Sequence, residues 1–280
     1  MSLLKKYLNF IKVEHTLFSL PLIYSGVFLA SKGIPSTKLL ILVLVAGVGA
    51  RIIALTFNRI IDREIDRRNP RTVNRELPAG RMTTLEALIV LLVGLALYFY
   101  AASAISRFTL LLSPIPLIIF VGYPYMKRFT QLAHFGVGLG LAMAPLGGWF
   151  AVRQSFDDLL PGALLSGFTL FWVSGFDIIY ATLDEDFDRQ ENLYSIVAHF
   201  GRERALAVSA WLHGLAFALL VVLYLYHIKA FAAIPLLLIT GWLLYLEQRR
   251  ASDVKVAFFK INAVLGFVVF GMVFVGALWV

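Results

Sequence analysis

Nine apolar runs mark the chain, at roughly residues 14–31, 38–62, 84–104, 108–126, 133–152, 160–182, 205–227, 230–247 and 257–279. Most are about 20 residues long, the length an α-helix needs to cross the hydrocarbon core of a bilayer. The strict alternation of a membrane β-barrel is absent, so a helix is predicted for every run. The first opens on Glu14, His15 and Thr16, a helix start. Several runs contain Pro, which membrane helices tolerate when packed in protein. The pattern predicts an all-α polytopic membrane protein, with about nine transmembrane helices bundled around a central cavity. No linker or soluble segment divides it, so residues 1–280 are expected to form a single membrane-embedded domain.

Composition agrees. The 280 residues are 60% hydrophobic and only 15% charged, too few charges for a soluble domain of this length. No cleavable signal peptide is expected ahead of the first run. There is no cysteine, which excludes disulfides, Cys-ligated zinc and a thiol nucleophile. The net charge of +8 would suggest nucleic acid in a soluble protein, but here its distribution assigns it to loops. With the N-terminus in the cytoplasm, nineteen Lys and Arg fall on the cytoplasmic side and five on the other, with Arg51 left inside the second run. That asymmetry sets orientation and predicts no nucleic-acid partner.

The remaining charge is concentrated in two segments. One is NRIIDREIDRRNPRTVNRELPAG, Asn58 to Gly80, with four carboxylates and six arginines. Asn58, Asp62 and Asp66 are spaced four and four, which places them on one helical face, and Arg51 shares that stripe two turns deeper. The other is GFDIIYATLDEDFDRQ. On a helix, Asp184 and Asp188 fall within about 20° of Asp177, and Tyr180 within about 60°. Both stripes lie toward the C-terminal ends of their helices, where the dipole disfavours carboxylates by a few tenths to about 1 kcal/mol each. Like charges at i, i+4 add a similar penalty. Something cationic must compensate: the nearby arginines or a divalent metal. Hard oxygens suit Mg²⁺, which pairs carboxylates with substrate phosphate. The five histidines are scattered along the sequence, which argues against zinc or haem.

These residues resemble a known family. The first segment is similar to the N-D-x-x-D-x-x-x-D … R-T-x-x-R-P-L-P-x-G signature of the UbiA superfamily of intramembrane prenyltransferases. DIIYATLDEDFD resembles its second motif, D-x-x-Y-x-x-x-D-x-x-x-D, and YPYMKR (Tyr123 to Arg128) resembles its Y-x-x-x-K-R segment. Arg59 stands where many members have Asp, and Glu76 and Leu77 where many have Arg and Pro. The resemblance implies transfer of a polyprenyl group from an allylic polyprenyl diphosphate to an aromatic acid. The details look most like the bacterial enzymes that act on 4-hydroxybenzoate, or on a naphthoate in menaquinone synthesis. It implies Mg²⁺ held by Asn58, Asp62, Asp66, Asp177 and Asp184, the four aspartates being the catalytic set. Arg51, Asn58, Arg71, Tyr123, Lys127, Tyr180 and Asp188 are the implied substrate-binding residues. Tyr123 and Tyr180 would face the allylic cation, and Arg128 would be an orientation anchor. The implied location is a bacterial inner membrane, with the site toward the cytoplasm and the substrate tail in lipid.

Two other classes compete. Intramembrane charge can mark an ion-coupled transporter, but transporter sites lie near the midplane, whereas these carboxylates cluster at one membrane face. A phosphatidyltransferase of the CDP-alcohol type is also membrane-bound and Asp-rich, but its D-G-x-x-A-R opening is absent.

Overall fold

Every apolar run becomes a helix. The structure, a computed structural model, describes residues 3–12 and 16–279; Glu14 and His15 lie outside them. The helices are α1 (Leu3–Ile11), α2 (Thr16–Ser31), α3 (Thr37–Ile61), α4 (Arg63–Arg68), α5 (Thr84–Ile105), α6 (Arg107–Leu112), α7 (Pro114–Met126), α8 (Ala133–Arg153) and α9 (Leu160–Ala181). There follow α10 (Glu185–Gln190), α11 (Ile196–Phe200), α12 (Arg202–Leu223), α13 (Ile234–Arg249) and α14 (Asn262–Leu278). No strand occurs among the described residues.

The sequence pattern located the helices well and their ends less well. Among the described residues, seven helical stretches are long and apolar enough to cross a bilayer, with α6 and α7 forming one of them. The first and last runs are shorter, at 16 residues for α2 and 17 for α14. The last α-helix starts at Asn262 rather than 257, because a π-helical stretch, Lys255–Ile261, precedes it. The short α1 was not expected. Phe10 on its buried face packs against Leu77, Met82 and Ala87, while Lys6 pairs with Glu86. A terminal segment thereby covers the loop that follows α4.

The helices form a closed ring. α3 packs on α5 and α7, α8 on α7 and α9, α9 on α12, α12 on α13, α13 on α14, and α14 on α2, which closes the ring by packing on α8 and on α3. With no hydrophobic driving force between helices in lipid, close approach depends on small residues and hydrogen bonds. Gly138 shows the first: a Cβ there would collide with the Leu170 carbonyl and Ser174 Oγ of α9. A buried polar chain shows the second. Trp172 donates to Asn262 at 2.7 Å, Asn262 donates to Glu247 at 2.8 Å, and Gln248 reaches both His213 and Ser209, joining α9, α12, α13 and α14.

The ends of α3, α7 and α9 and the start of α8 meet at one end of the bundle. All the motif residues gather there.

Candidate active site

Neither acidic stripe lies on one continuous helix. α3 stops at Ile61, Asp62 sits at the junction with φ −92° and ψ 3°, and Asp66 falls in the first turn of α4. α9 stops at Ala181, Asp184 precedes α10, and Asp188 lies in its first turn. These breaks correct the single-helix geometry, and the dipole argument explains them. A continuous helix would carry every carboxylate of a stripe at its negative end, whereas restarting it moves the outer ones to a positive end. The spacing still brings them together, because each break only bends the stripe inward.

The first cluster is deeply buried. Asn58 donates from its side-chain amide to Asp62 Oδ2 at 2.9 Å, and Lys127 Nζ reaches the same oxygen at 2.8 Å. Arg75 grips both oxygens of Asp66, at 2.9 and 2.7 Å. Thr72 donates to the Asp66 carbonyl at 3.0 Å, fixing the loop that presents both Arg71 and Arg75. Burial pushes the Asp62 carboxyl above its usual range despite Lys127. Its Oδ1 is buried and accepts no hydrogen bond; Arg128 is 3.9 Å away. Arg128 instead donates to the Ile61 carbonyl at 2.6 Å, capping the end of α3.

The second cluster is assembled from farther away. Arg71 forms a two-point pair with Asp184, with Nε–Oδ1 at 2.8 Å and Nη2 on Oδ2. It donates to Tyr180 at 2.6 Å and lies 4.9 Å from that ring's centroid. Asn69 donates to Asp184 at 2.8 Å. Asp177 faces His134, with Nδ1–Oδ2 at 2.7 Å. Asp188 is hydrogen-bonded by Ser195, and burial pushes its carboxyl up to about 6.

Together these residues line one cavity of about 290 Å³. Of the predicted site residues, Asn58, Asp62, Asp66, Arg71, Tyr123, Lys127, Asp177, Tyr180, Asp184 and Asp188 are all on its wall. Arg51 is not. It lines a second cavity of about 140 Å³, whose wall is otherwise largely apolar, with Ile23, Tyr98, Phe120 and Met143 among its residues. Helices α3, α7 and α8 contribute to both cavities, and Tyr123 stands between them, within electrostatic reach of Arg51, Asp62 and Asp177.

The sequence reading missed His134, Asn69, Arg75 and Ser195 as site residues. The scatter of the histidines along the sequence hides His134. A polar ring at the start of an apolar span was the available signal. The two departures from the family pattern also acquire an explanation. Arg59 Nη1 and Glu76 Oε2 are 3.7 Å apart and almost completely buried, so each compensates the other.

Among the described residues, five aspartates line the polar cavity, against three permanent cations, Arg71, Arg75 and Lys127. Among the described residues, no three His, Asp or Glu side chains already form a metal cluster. Each of four carboxylates is turned toward a partner: Asp62 to Lys127, Asp66 to Arg75, Asp177 to His134 and Asp184 to Arg71. A ring of helices around a one-ended, Asp-lined cavity, open beside an apolar one, is the architecture of an intramembrane transferase of prenyl groups.

Comparison with known proteins bears this out. Residues 19–264 match the UbiA prenyltransferase family, and the chain belongs to that family. It is 31% identical over 261 residues to a 4-hydroxybenzoate octaprenyltransferase of Haemophilus ducreyi, covering 90% of this chain and 91% of that one. A protein of the same name from Aliivibrio salmonicida is 31% identical over 252 residues, covering 87% and 86%. A UbiA homolog from Aeropyrum pernix K1, solved in its apo form, superposes with a TM-score of 0.87 at 34% identity, covering 93% and 97%. A UbiA homolog from Archaeoglobus fulgidus, bound to GPP and Mg²⁺, has the same fold, with a TM-score of 0.76 at 21% identity and coverage of 98% and 100%. The protein is thus a multi-pass integral membrane protein.

Proposed function

We propose that the protein transfers a polyprenyl group from an allylic polyprenyl diphosphate to a ring carbon of an aromatic acid such as 4-hydroxybenzoate, releasing diphosphate, in quinone biosynthesis. One observation carries the reading: a carboxylate-rich cavity with three cations lies end to end with an apolar cavity that contains a single arginine. The names of the relatives support the acceptor, and the GPP and Mg²⁺ bound by the A. fulgidus homolog support the donor and the metal.

The donor set fits Mg²⁺. The oxygens are hard, the cavity has two more carboxylates than permanent cations, and Asp62 Oδ1 is buried without a donor. Asp62, Asp66, Asp177 and Asp184 would hold the metal, with Asn58 supplying a neutral oxygen. Bound there, Mg²⁺ supplies charge neutralisation of the diphosphate oxygens.

The protein's own groups do the rest. Arg71, Arg75 and Lys127 bind the phosphate oxygens and stabilise charge on the leaving diphosphate. As the C1–O bond breaks, the Tyr123 and Tyr180 rings face the allylic cation, worth about 0.5–2 kcal/mol each. Arg51 pairs with the acceptor carboxylate from inside the apolar wall. That pairing orients the ring so that the carbon ortho to its hydroxyl attacks C1. The C–C bond forms, and a carboxylate or water takes the ring proton. The apolar surroundings keep water from the cation. Asp188 borders the diphosphate pocket. The substrates enter a site at the cytoplasmic face of a bacterial inner membrane, supported by the basic residues on that side and by the bacterial relatives.

The test is transfer of a labelled prenyl group by purified protein to a panel of aromatic acids. We expect Mg²⁺-dependent labelling of 4-hydroxybenzoate, lost with EDTA. Labelling of a naphthoate instead would change the acceptor and leave the reaction class in place. Labelling of no phenolic acid at all would overturn the proposal.

A further inference from the structure

His134 is held at both ring nitrogens. Ile196, the first residue of α11, points its backbone N–H at Nε2 at 3.4 Å. A backbone amide only donates, so Nε2 accepts, and the proton of the neutral ring sits on Nδ1. Nδ1 is 2.7 Å from Asp177 Oδ2, so the ring donates to that carboxylate. His134 is only 4% exposed and lines the polar cavity. Close packing at Gly138, one turn along α8, brings the ring within reach of Asp177, three residues beyond Ser174 on α9. Beside Ile196, Ser195 caps α11 and hydrogen-bonds Asp188. One line of contacts therefore runs from Asp177 through His134 and the start of α11 to Asp188, across the gap where α9 has ended.

We propose that His134 is a positioning residue for Asp177: it occupies Oδ2, holds the carboxylate in place and leaves Oδ1 as the oxygen that would hold the metal. This deepens the metal-assisted reading above and rests on it. A histidine oriented by one partner and donating to a ligand carboxylate is a known means of tuning a metal site from its outer shell, and loss of such a partner costs about 10–100-fold in affinity.

The experiment measures Mn²⁺ binding by the EPR signal of the free ion, on purified protein in detergent with inorganic diphosphate. His134→Leu should weaken Mn²⁺ binding about tenfold or more. His134→Gln, whose amide can still donate to Asp177, should stay near wild type. Ile196→Pro removes the N–H at Nε2. It also alters a buried side chain packed with Ile178 and Leu212, so Ile196→Ala is measured beside it as the packing control and should stay nearer wild type. Proline suits the first position of a helix, and Ser195 before it is already extended at φ −139° and ψ 158°. With the tautomer released, binding should weaken by a smaller factor. Thermal melts of each variant accompany the titrations, and if His134→Leu does not fold, Ile196→Pro decides. Wild-type binding by the folded His134→Leu protein, or by Ile196→Pro in its place, overturns the assignment and leaves the metal reading standing. Absence of Mn²⁺ binding in the wild type overturns the metal reading and this assignment with it.

Discussion

The two acidic clusters use the same residue type in different ways. In the first, the Asp62 and Asp66 side chains are 3% and 7% exposed, and each is matched by a permanent cation, Lys127 or Arg75. In the second, Asp184 and Asp177 are 14% and 23% exposed. There a single guanidinium, Arg71, serves Asp184, while His134 and Ser195 hold Asp177 and Asp188. Burial sets the difference. A carboxylate sealed among helices needs a full opposite charge, because removing one partner of a buried pair is costly. One nearer the mouth of the cavity is sustained by dipoles and solvent. The first cluster is thus a fixed frame, and the second carries the charge that the protein leaves uncompensated.

This contrast can be broken at several strengths. The largest effect is expected from Asp62→Ala, Asp66→Ala or Asp177→Ala. Each should reduce prenyl transfer by about 10³-fold or more at saturating Mg²⁺, with the melting temperature largely kept. Near-normal turnover in any one would remove that residue from the site. Next, Arg59→Ala strands Glu76 inside the protein and should cost about 3–5 kcal/mol of stability. The double variant Arg59→Glu, Glu76→Arg should recover much of that loss in a thermal melt. No recovery would mean the two side chains act separately.

A smaller effect is expected at Lys127, which is 28% exposed. Lys127→Met should raise the KM for the diphosphate donor by about tenfold, the loss of one charge-assisted contact worth about 1.4 kcal/mol. An unchanged KM with reduced stability would make Lys127 purely a counter-charge for Asp62. The smallest effect concerns pH. Burial raises Asp188 to about 6, above its ordinary value near 3.9. The folded state therefore holds this proton more tightly than the unfolded chain does. The resulting stabilisation is complete below about pH 4 and is lost as pH rises through about 6. Melts at pH 5 and pH 7 should show this decline in the wild type and a flatter profile in Asp188→Asn. Identical profiles would place the titration elsewhere.

Much of this was legible in the sequence. The apolar runs located the helices because lipid demands about 20 consecutive apolar residues, whatever the tertiary contacts. The i, i+4 spacing of Asn58, Asp62 and Asp66 located the first cluster because nearby residues on a helix share a face. Partners distant along the chain were not legible. His134 is 43 residues from Asp177, and Asn69 is 115 from Asp184. No periodicity links positions joined only by packing. The breaks at Asp62 and after Ala181 were hidden too, because the same spacing describes a straight helix and a bent one. Arg51 shows the remaining gap: the spacing placed it two turns deeper on the same stripe, and only the packing shows that this depth falls in the apolar cavity.

The Arg59–Glu76 pair has a consequence for recombination between relatives. Scored position by position, this chain departs twice from its family's signature. Physically the two departures are one, because the charges meet across the loop that delivers Arg71 and Arg75. A chimera that imports the 69–82 loop from a relative without an acid at 76 would leave Arg59 without its counter-charge, and the reverse graft would leave an acid buried without its arginine. Crossover points in designed hybrids should therefore keep residues 59 and 76 on the same parental segment, even though a junction in the charged stretch between them looks harmless.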